Sequence, residues 1–359
     1  MTTSGVVGAV VLDQATLFEH VLRRCKLTPS VQTPEIVQTL RECLQFLINE
    51  YSNYGINLWC IKKLILGLHQ YQEAYDLPTG IVDVLNVFLR TSPRVGGTVT
   101  NSDNSDSVAL TDGDVTTYTT QTVTGGSFVI SLSSAQAVRT VGILHRGQAT
   151  RDLAFEVSND GDEWSTEATI GSTVYVDGEW YWYDIDPAQS ALYFRVRDTL
   201  ANAPLSAYEF YASAGGTEIE SGRLNRDMFT NLPQKYFQGR PLQYWFDRQV
   251  SQAVLHLWPS PNSIFDQYVV WYHRLIEDVG SDLTETIEIP QKWNEAVIAG
   301  LAAKAALELP GVNDARIPIL QKAAQDALSG VEIDEVDNSP VILRPNIRPY
   351  TRLGGYGRR

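Results

Sequence analysis

Near the end of the chain three arginines, Arg344, Arg348 and Arg352, recur at every fourth position among Ile342, Leu343, Ile347, Tyr350 and Leu353. A guanidinium presents a planar fork of donors that pairs two-pronged with carboxylates or phosphates, so this spacing offers repeated anchoring to an anionic groove. Pro345 and Pro349 forbid a helix between them. The stretch from Pro340 to Arg359 therefore reads as an extended arm laid along a partner, with Arg344, Ile347, Arg348, Tyr350, Arg352 and Leu353 as its contacts. The other reading, a disordered solubilising tail, has to account for four large apolar residues and a tyrosine in so short a segment.

No part of the chain asks for catalysis. There is no glycine-rich phosphate loop, no zincin motif, no paired Cys-x-x-Cys and no serine in a nucleophile elbow. The five histidines, His20, His69, His145, His256 and His273, are scattered, with no two at i, i+4. His256 and His273 fall on predicted strands and could meet across a hairpin, but structural roles are the simpler reading. Cys25, Cys43 and Cys60 cannot all pair, and each sits at an apolar position, which predicts buried free thiols made in a reducing compartment. The apolar run Gly5–Leu12 has no basic stretch before it and Asp13 directly after it, so no signal peptide is expected. No apolar run approaches the ~20 residues of a membrane span.

The elements that position these residues follow from periodicity. Apolar side chains at Ile36, Val37, Leu40, Cys43, Leu44, Leu47, Ile48 and Tyr51 form one stripe along a helix that starts at Thr33 and Pro34. Such a helix must pack on others, from its own chain or from neighbouring copies. A shorter helix over residues 13–27 precedes it. Strands are expected at Ile56–Leu66, Tyr71–Leu77 and Ile81–Arg90. Further on, the spacing predicts a short helix at Asn225–Asn231 and strands at Gln243–Gln249, Ala253–Trp258 and Gln267–Ile276. Pro259–Asn262 is expected to turn the last two of these into a hairpin. Helices over Pro290–Leu309 and Asp314–Leu328 close the ordered part.

Between Thr91 and about Ser213 the texture changes to Thr, Ser, Gly and Asp, with short alternating segments and turn residues every ~8–12 positions, the signal of an all-β sandwich. Residues 93–213 hold 16 acidic and 6 basic side chains, a net of −10. The domains are therefore 1–92, the first part of a core; 93–213, an inserted sandwich; 214–338, the second part of the core; and 339–359, the arm. The arm is +5, so the remainder of this −14 chain is −19, which argues against wrapping DNA over a general basic surface.

Within the insert, Ala109-Leu-Thr-Asp112-Gly113-Asp114, Ser127–Leu132, Phe155-Glu-Val-Ser-Asn-Asp-Gly161-Asp-Glu-Trp164, Tyr193–Arg197 and Ala207–Tyr211 occur in order. This set resembles the galactose-binding-like jelly roll of discoidin, or coagulation-factor C-type, domains over essentially the whole insert. The resemblance implies a structural Ca²⁺ at the Asp-Gly-Asp loop, with Asp112 and Asp114 as hard oxygen ligands. The other reading is a turn whose aspartates accept hydrogen bonds from their own backbone. It also implies sugar binding through loop aromatics, a role open to Trp180 and Trp182. Alternation puts both on one face, where core packing is the competing and more ordinary role.

Outside the insert, the ordered pieces are Asn49–Trp59, Tyr75-Asp-Leu-Pro78, Ile81-Val-Asp83, Gly239-Arg-Pro241 and Trp258-Pro259. Over residues 12–91 and 215–359 this set resembles the head-to-tail adaptor proteins of short-tailed bacteriophages, from which the insert after Arg90 is a departure. The resemblance implies an α+β fold, a helical adaptor core with a small antiparallel β part. It implies a homo-oligomeric twelve-fold ring packed through Leu40, Leu44, Leu47 and Tyr51, and an arm held by the portal protein. Further partners would be the tail nozzle protein and tail fibres, with DNA passing through unbound, no membrane, no cofactor and no enzymatic activity. Its place would be the head–tail junction of a virion assembled in the host cytoplasm. A different class is a carbohydrate-binding host-adhesion protein acting through the jelly roll. A cell-wall hydrolase would need a convergent pair of carboxylates that the sequence does not locate.

Overall fold

The computed structural model describes residues 12–28, 33–53, 58–91, 93–101, 107–121, 123–200, 203–278, 280 and 282–334. The helices are α1 (Gln14–Arg24), α2 (Pro34–Asn53), α3 (Arg226–Thr230), α4 (Asn294–Glu308) and α5 (Ile317–Asp334). The chain divides into two compact units, 1–54 with 277–359 and 55–276. The described helices other than α3 belong to the first; α3 and all the named strands belong to the second. The chain is mostly β, and its β part outside the sandwich is two four-stranded sheets rather than the small one expected.

In the first unit Asp13 caps α1 by accepting from the Thr16 N–H at 2.8 Å. The centre of the unit is α4, whose Ala296, Ala299, Gly300, Ala302, Ala303, Ala305 and Ala306 are all buried. Small side chains on every side let α1, α2 and α5 all pack on one rod. A Cβ on Gly300 would fall 2.5 Å from Tyr51 Oη, and that hydroxyl donates to the Ala296 carbonyl at 2.9 Å. Arg24–Glu295 and Lys304–Glu50 close the rim. Leu40, Leu44, Leu47 and Tyr51 are buried within this bundle. The stripe read as ring packing is thus spent inside the subunit, each buried leucine contributing about 1.5–3 kcal/mol. On α2, the large apolar side chain left well exposed is Phe46.

The strands of the second unit are β1 (Ile61–Gly67), β2 (Ala74–Asp76), β3 (Ile81–Arg90), β4 (Thr98–Asn101), β5 (Thr119–Thr120), β6 (Ser127–His145), β7 (Ala149–Ser158), β8 (Ser165–Tyr175), β9 (Trp180–Asp198), β10 (Ser206–Ser213), β11 (Glu218–Glu220), β12 (Gly222–Leu224), β13 (Gln238–Gly239), β14 (Gln243–Asp247), β15 (Val254–Trp258), β16 (Ser260–Pro261) and β17 (Gln267–Arg274). A carrier is built from two four-stranded sheets, β1-β17-β3-β11 and β12-β14-β15-β2. Leu66, Val84, Leu89, Tyr268 and Val270 of one meet Tyr75, Tyr244, Phe246, Leu255 and Leu257 of the other in a common core. The expected hairpin at Pro259–Asn262 does not form. Instead β14 and β15 make a hairpin, and the chain then crosses to the other sheet as β17. Pro259 and Pro261 have no N–H to give a continuing ladder. His256 and His273 consequently lie on different sheets.

The insert leaves the carrier after β3 and returns as β11, which pairs antiparallel with β3, Glu218 opposite Arg90. It closes where Arg94 bridges Ser213, whose hydroxyl donates to the Pro93 carbonyl at 3.0 Å. Its strands run in the order β5-β10-β6-β9-β7-β8, with β4 on β6. The long strands β6 and β9 each break register midway, between Ser131 and Gln136 on β6. Both halves of β6 then meet β9 and β10 in one core: Phe128 and Ile130, Val141 and Ile143, with Phe194 and Val196 of β9 and Phe210 and Ala212 of β10.

Candidate functional site

The Asp112-Gly113-Asp114 turn lies just before β5, with Gly113 at φ +77°, a conformation that disfavours any Cβ. Asp112 Oδ1 accepts from the Asp114 N–H and Oδ2 from the Thr117 hydroxyl, both at 2.8 Å. Asp114 Oδ1 accepts from the Thr116 N–H at 2.9 Å and its hydroxyl at 2.7 Å. The aspartates thus close their own turns. Behind them the Gly113 N–H donates to Glu209 Oε1 at 2.6 Å. Glu209, on β10, is fully buried, and burial, with Asp112 beside it, pushes its pKa up to about 7. Its Oε2 has no hydrogen-bond partner. Among the described residues no group of three or more His, Cys, Asp or Glu side chains is arranged to hold a metal. A structural cation at this loop would draw its carboxylates from Asp112 and Asp114 of the turn and from Glu209 behind it. The sequence reading missed Glu209, which lies 97 residues beyond Asp112.

Trp180 and Trp182 project from one face of β9, stacked with ring centroids 4.7 Å apart. They are 6% and 5% exposed. Leu144 and Tyr211 of the sandwich and Ile264 of the carrier complete the cluster, with Phe265 stacked on Tyr211 at 4.9 Å. Two glycines make the room. A Cβ on Gly142 would come 2.5 Å from the Trp182 ring, and one on Gly67 of β1 would come 2.3 Å from Trp180 Cβ. The pair is buried where the sandwich meets the carrier, so the glycan-facing role is corrected. Alongside, Asp184 of β9 pairs with Lys63 of β1 and with Arg90 of β3, the latter at 2.7 Å. Arg90 reaches on to Glu218 at 2.7 Å. Burial would raise the Asp184 carboxyl, but the Lys63 and Arg90 donors more than offset it and hold it below the usual carboxylate range.

The Ser158–Trp164 piece is a built turn. Asp160 accepts from the Asp162 and Glu163 N–H groups, and the Trp164 indole donates to the Gly161 carbonyl at 3.1 Å. Arg195 lies 3.9 Å over the Trp164 ring and, with Arg197, neutralises the nearly buried Glu156. A second polar cluster lies at the surface, with Arg146 and Tyr208 half-buried. Arg146 lies 3.4 Å over Tyr118, which meets Tyr208 edge-on. The Tyr208 hydroxyl donates to Asp177 at 3.3 Å, and Asp177 also accepts from the Gly147 N–H at 2.6 Å. These four residues come from four segments, so no local spacing announces them.

His256 stacks on Trp245 at 4.7 Å and His273 stands opposite Asp83 in the ladder, both structural placements. Cys25, Cys43 and Cys60 are buried free thiols. Arg344, Ile347, Arg348, Tyr350, Arg352 and Leu353 lie outside the described residues.

Several solved structures are similar to about a third of this chain, a share equal to the length of the insert. Chitosan-binding module 1 of a Paenibacillus chitosanase/glucanase is 22% identical, over 34% of this chain and 98% of that one, with a TM-score of 0.29. A fucose-binding module of Streptococcus pneumoniae is 17% identical over 34% and 96%, TM-score 0.29. An F5/8 type C domain from Bacteroides fragilis is 14% identical over 36% and 98%, TM-score 0.30. No family model matches the chain, and no curated protein matches it.

Proposed function

We propose that this chain is a virion structural protein, a ring-forming head-to-tail adaptor that joins the portal to the tail nozzle and lines part of the DNA exit channel. The observation that carries the proposal is how the insert is mounted. It enters and leaves on neighbouring strands, and it is pinned by a buried tryptophan pair and by Asp184 between Lys63 and Arg90. A module that searches for ligand on a tether keeps its aromatics in water. This one spends them on attachment, as a fixed part of a building block does. Four of the pieces that carry the adaptor resemblance, Tyr75–Pro78, Ile81–Asp83, Gly239–Pro241 and Trp258-Pro259, lie in the carrier, while Asn49–Asn53 ends α2 in the other unit. Tyr75 pairs opposite Leu255, a Cβ on Gly239 would meet Pro259 at 3.4 Å, and the Pro241 carbonyl accepts from the Tyr268 hydroxyl at 3.0 Å. The net charge of −14 suits a conduit that lets DNA pass without holding its phosphates. The arm's arginines are assigned to the portal. Deleting Pro340–Arg359 is expected to leave the circular dichroism and melting of the chain intact while abolishing attachment to portals; normal attachment would refute that assignment.

A second reading, glycan adhesion, is favoured by one observation. Tyr118, Arg146, Tyr208 and Asp177 set an aromatic ring, a cation and a carboxylate together at the surface. A glycan array with the full chain tests it: binding lost in both Tyr118→Ala and Arg146→Ala supports adhesion, and silence removes it.

A further inference from the structure

The carrier holds another aromatic pair, treated in the opposite way from the tryptophans. Tyr236 and Phe237 are 84% and 52% exposed. Their segment is nonetheless pinned. The Trp258 indole donates to the Gln234 carbonyl and the Ser260 N–H to the Phe237 carbonyl, both at 2.9 Å, and β13 pairs in parallel with β16. The fold therefore holds these rings in water rather than leaving them there by slack. Met228 on α3 and Leu242 ahead of β14 add exposed apolar surface in the same stretch of chain. Charge marks it as well. In a chain of net −14, residues 223–248 carry five basic side chains against two acidic ones. Arg223 and Arg248 are both paired with Asp83. Arg240 lies within electrostatic reach of Asp266 and Lys235 over the Phe229 ring at 5.5 Å, and none of Arg226, Lys235 and Arg240 makes a close ion pair among the described residues.

We infer that this face docks head to tail on a second copy of the chain. Exposed aromatics and methionine beside arginine are the side chains enriched where proteins meet proteins. The occupant is fixed by charge. A cationic patch repels the same patch on another copy, so a two-fold contact is disfavoured, whereas the sandwich offers a net of −10 to receive it. A patch that must meet a different face generates a closed ring or a filament. The inference rests on the ring reading above and replaces the α2 stripe as the surface that makes it.

The test places a photo-crosslinking phenylalanine analogue at position 237 in a mixture of heavy- and light-isotope protein, and follows assembly by sedimentation velocity. The expected adduct joins position 237 of one copy to a peptide from residues 93–213 of another. Lys235→Glu combined with Arg240→Glu is expected to weaken self-association about tenfold or more with an unchanged melting curve. Tyr236→Ser provides a neutral second variant with the same expected direction. Variants that assemble like the parent, adducts between identical segments, or adducts formed only with added oligonucleotide each overturn this contact and leave the ring itself standing. A parent chain that stays monomeric and forms no ring on portals overturns both.

Discussion

Two aromatic pairs on the same unit, Trp180 with Trp182 and Tyr236 with Phe237, have opposite fates. A sugar-facing role was open to the tryptophans, yet they are buried against Phe265 and Ile264 of the carrier. The tyrosine and phenylalanine sit in an unremarked loop, yet they stand in water. What separates them is room. Gly142 and Gly67 clear space over the first pair, while the loop of the second is pinned by backbone and indole hydrogen bonds that never draw its rings inward. Residue type sets what an aromatic can do, and the neighbours that yield to it decide which use it has.

Four substitutions probe these two fates. Replacing Trp180 and Trp182 together by Ala carries the largest expected effect. Each large-to-small change in a packed site costs about 3–5 kcal/mol, and because the rings touch, the two losses do not simply add. Thermal unfolding of the full chain should show a strongly lowered midpoint, with protease cutting appearing in the linkers at 91–97 and 213–217. A small shift with no new cutting would mean that the sandwich is held elsewhere.

Glu209 comes next. Its ionisation is raised from 4.5 to about 7, so the folded state keeps a proton that the unfolded chain releases. The stabilisation is complete below about pH 4.5 and is lost as pH rises through about 7, by at most about 3 kcal/mol. The melting midpoint should therefore fall between pH 5 and pH 8, and Glu209→Gln should flatten that fall. Recovery at pH 8 on adding calcium would place a cation among Asp112, Asp114 and Glu209; no recovery leaves the loop as a turn.

Asp184→Asn follows, at about 1–2 kcal/mol, because Arg90 keeps Glu218. The sign of its pH effect is opposite to that of Glu209. The Asp184 carboxyl is held low when folded, so its contribution is present above the ordinary carboxylate range and is lost as pH drops through its depressed value. Acid melts of the two variants should diverge accordingly. The smallest effect is expected from Tyr236→Ser with Phe237→Ser, within about 0.5 kcal/mol of the parent, since exposed rings leave no cavity. A clear destabilisation would show these rings to be structural.

Much of the fold was legible. The stripe from Leu40 to Tyr51 and the helix start at Thr33 and Pro34 are local signals, as are the alternation of Phe128–Leu132 and the change of texture at Thr91, and local signals survive folding. Partnership was not legible. Period-3.6 spacing marks which face of α2 is buried but not whether the burying surface is its own α4. Likewise β15 and β17 look like consecutive hairpin strands, and only the missing N–H groups of Pro259 and Pro261 hint at the change of sheet. The strand β8 escaped because Ser165–Tyr175 is largely exposed and offers no apolar alternation. The Asp-Gly-Asp turn was visible, and Glu209 behind it was not, because their meeting depends on β10 closing over the loop.

Copies of this chain are proposed to form a ring on the portal. Electron micrographs of the purified protein with and without portals test it most directly. Rings seated on the portal are expected, with the sandwiches as repeated fixed features around them. Isolated subunits beside bare portals, with no contact between copies, would contradict it.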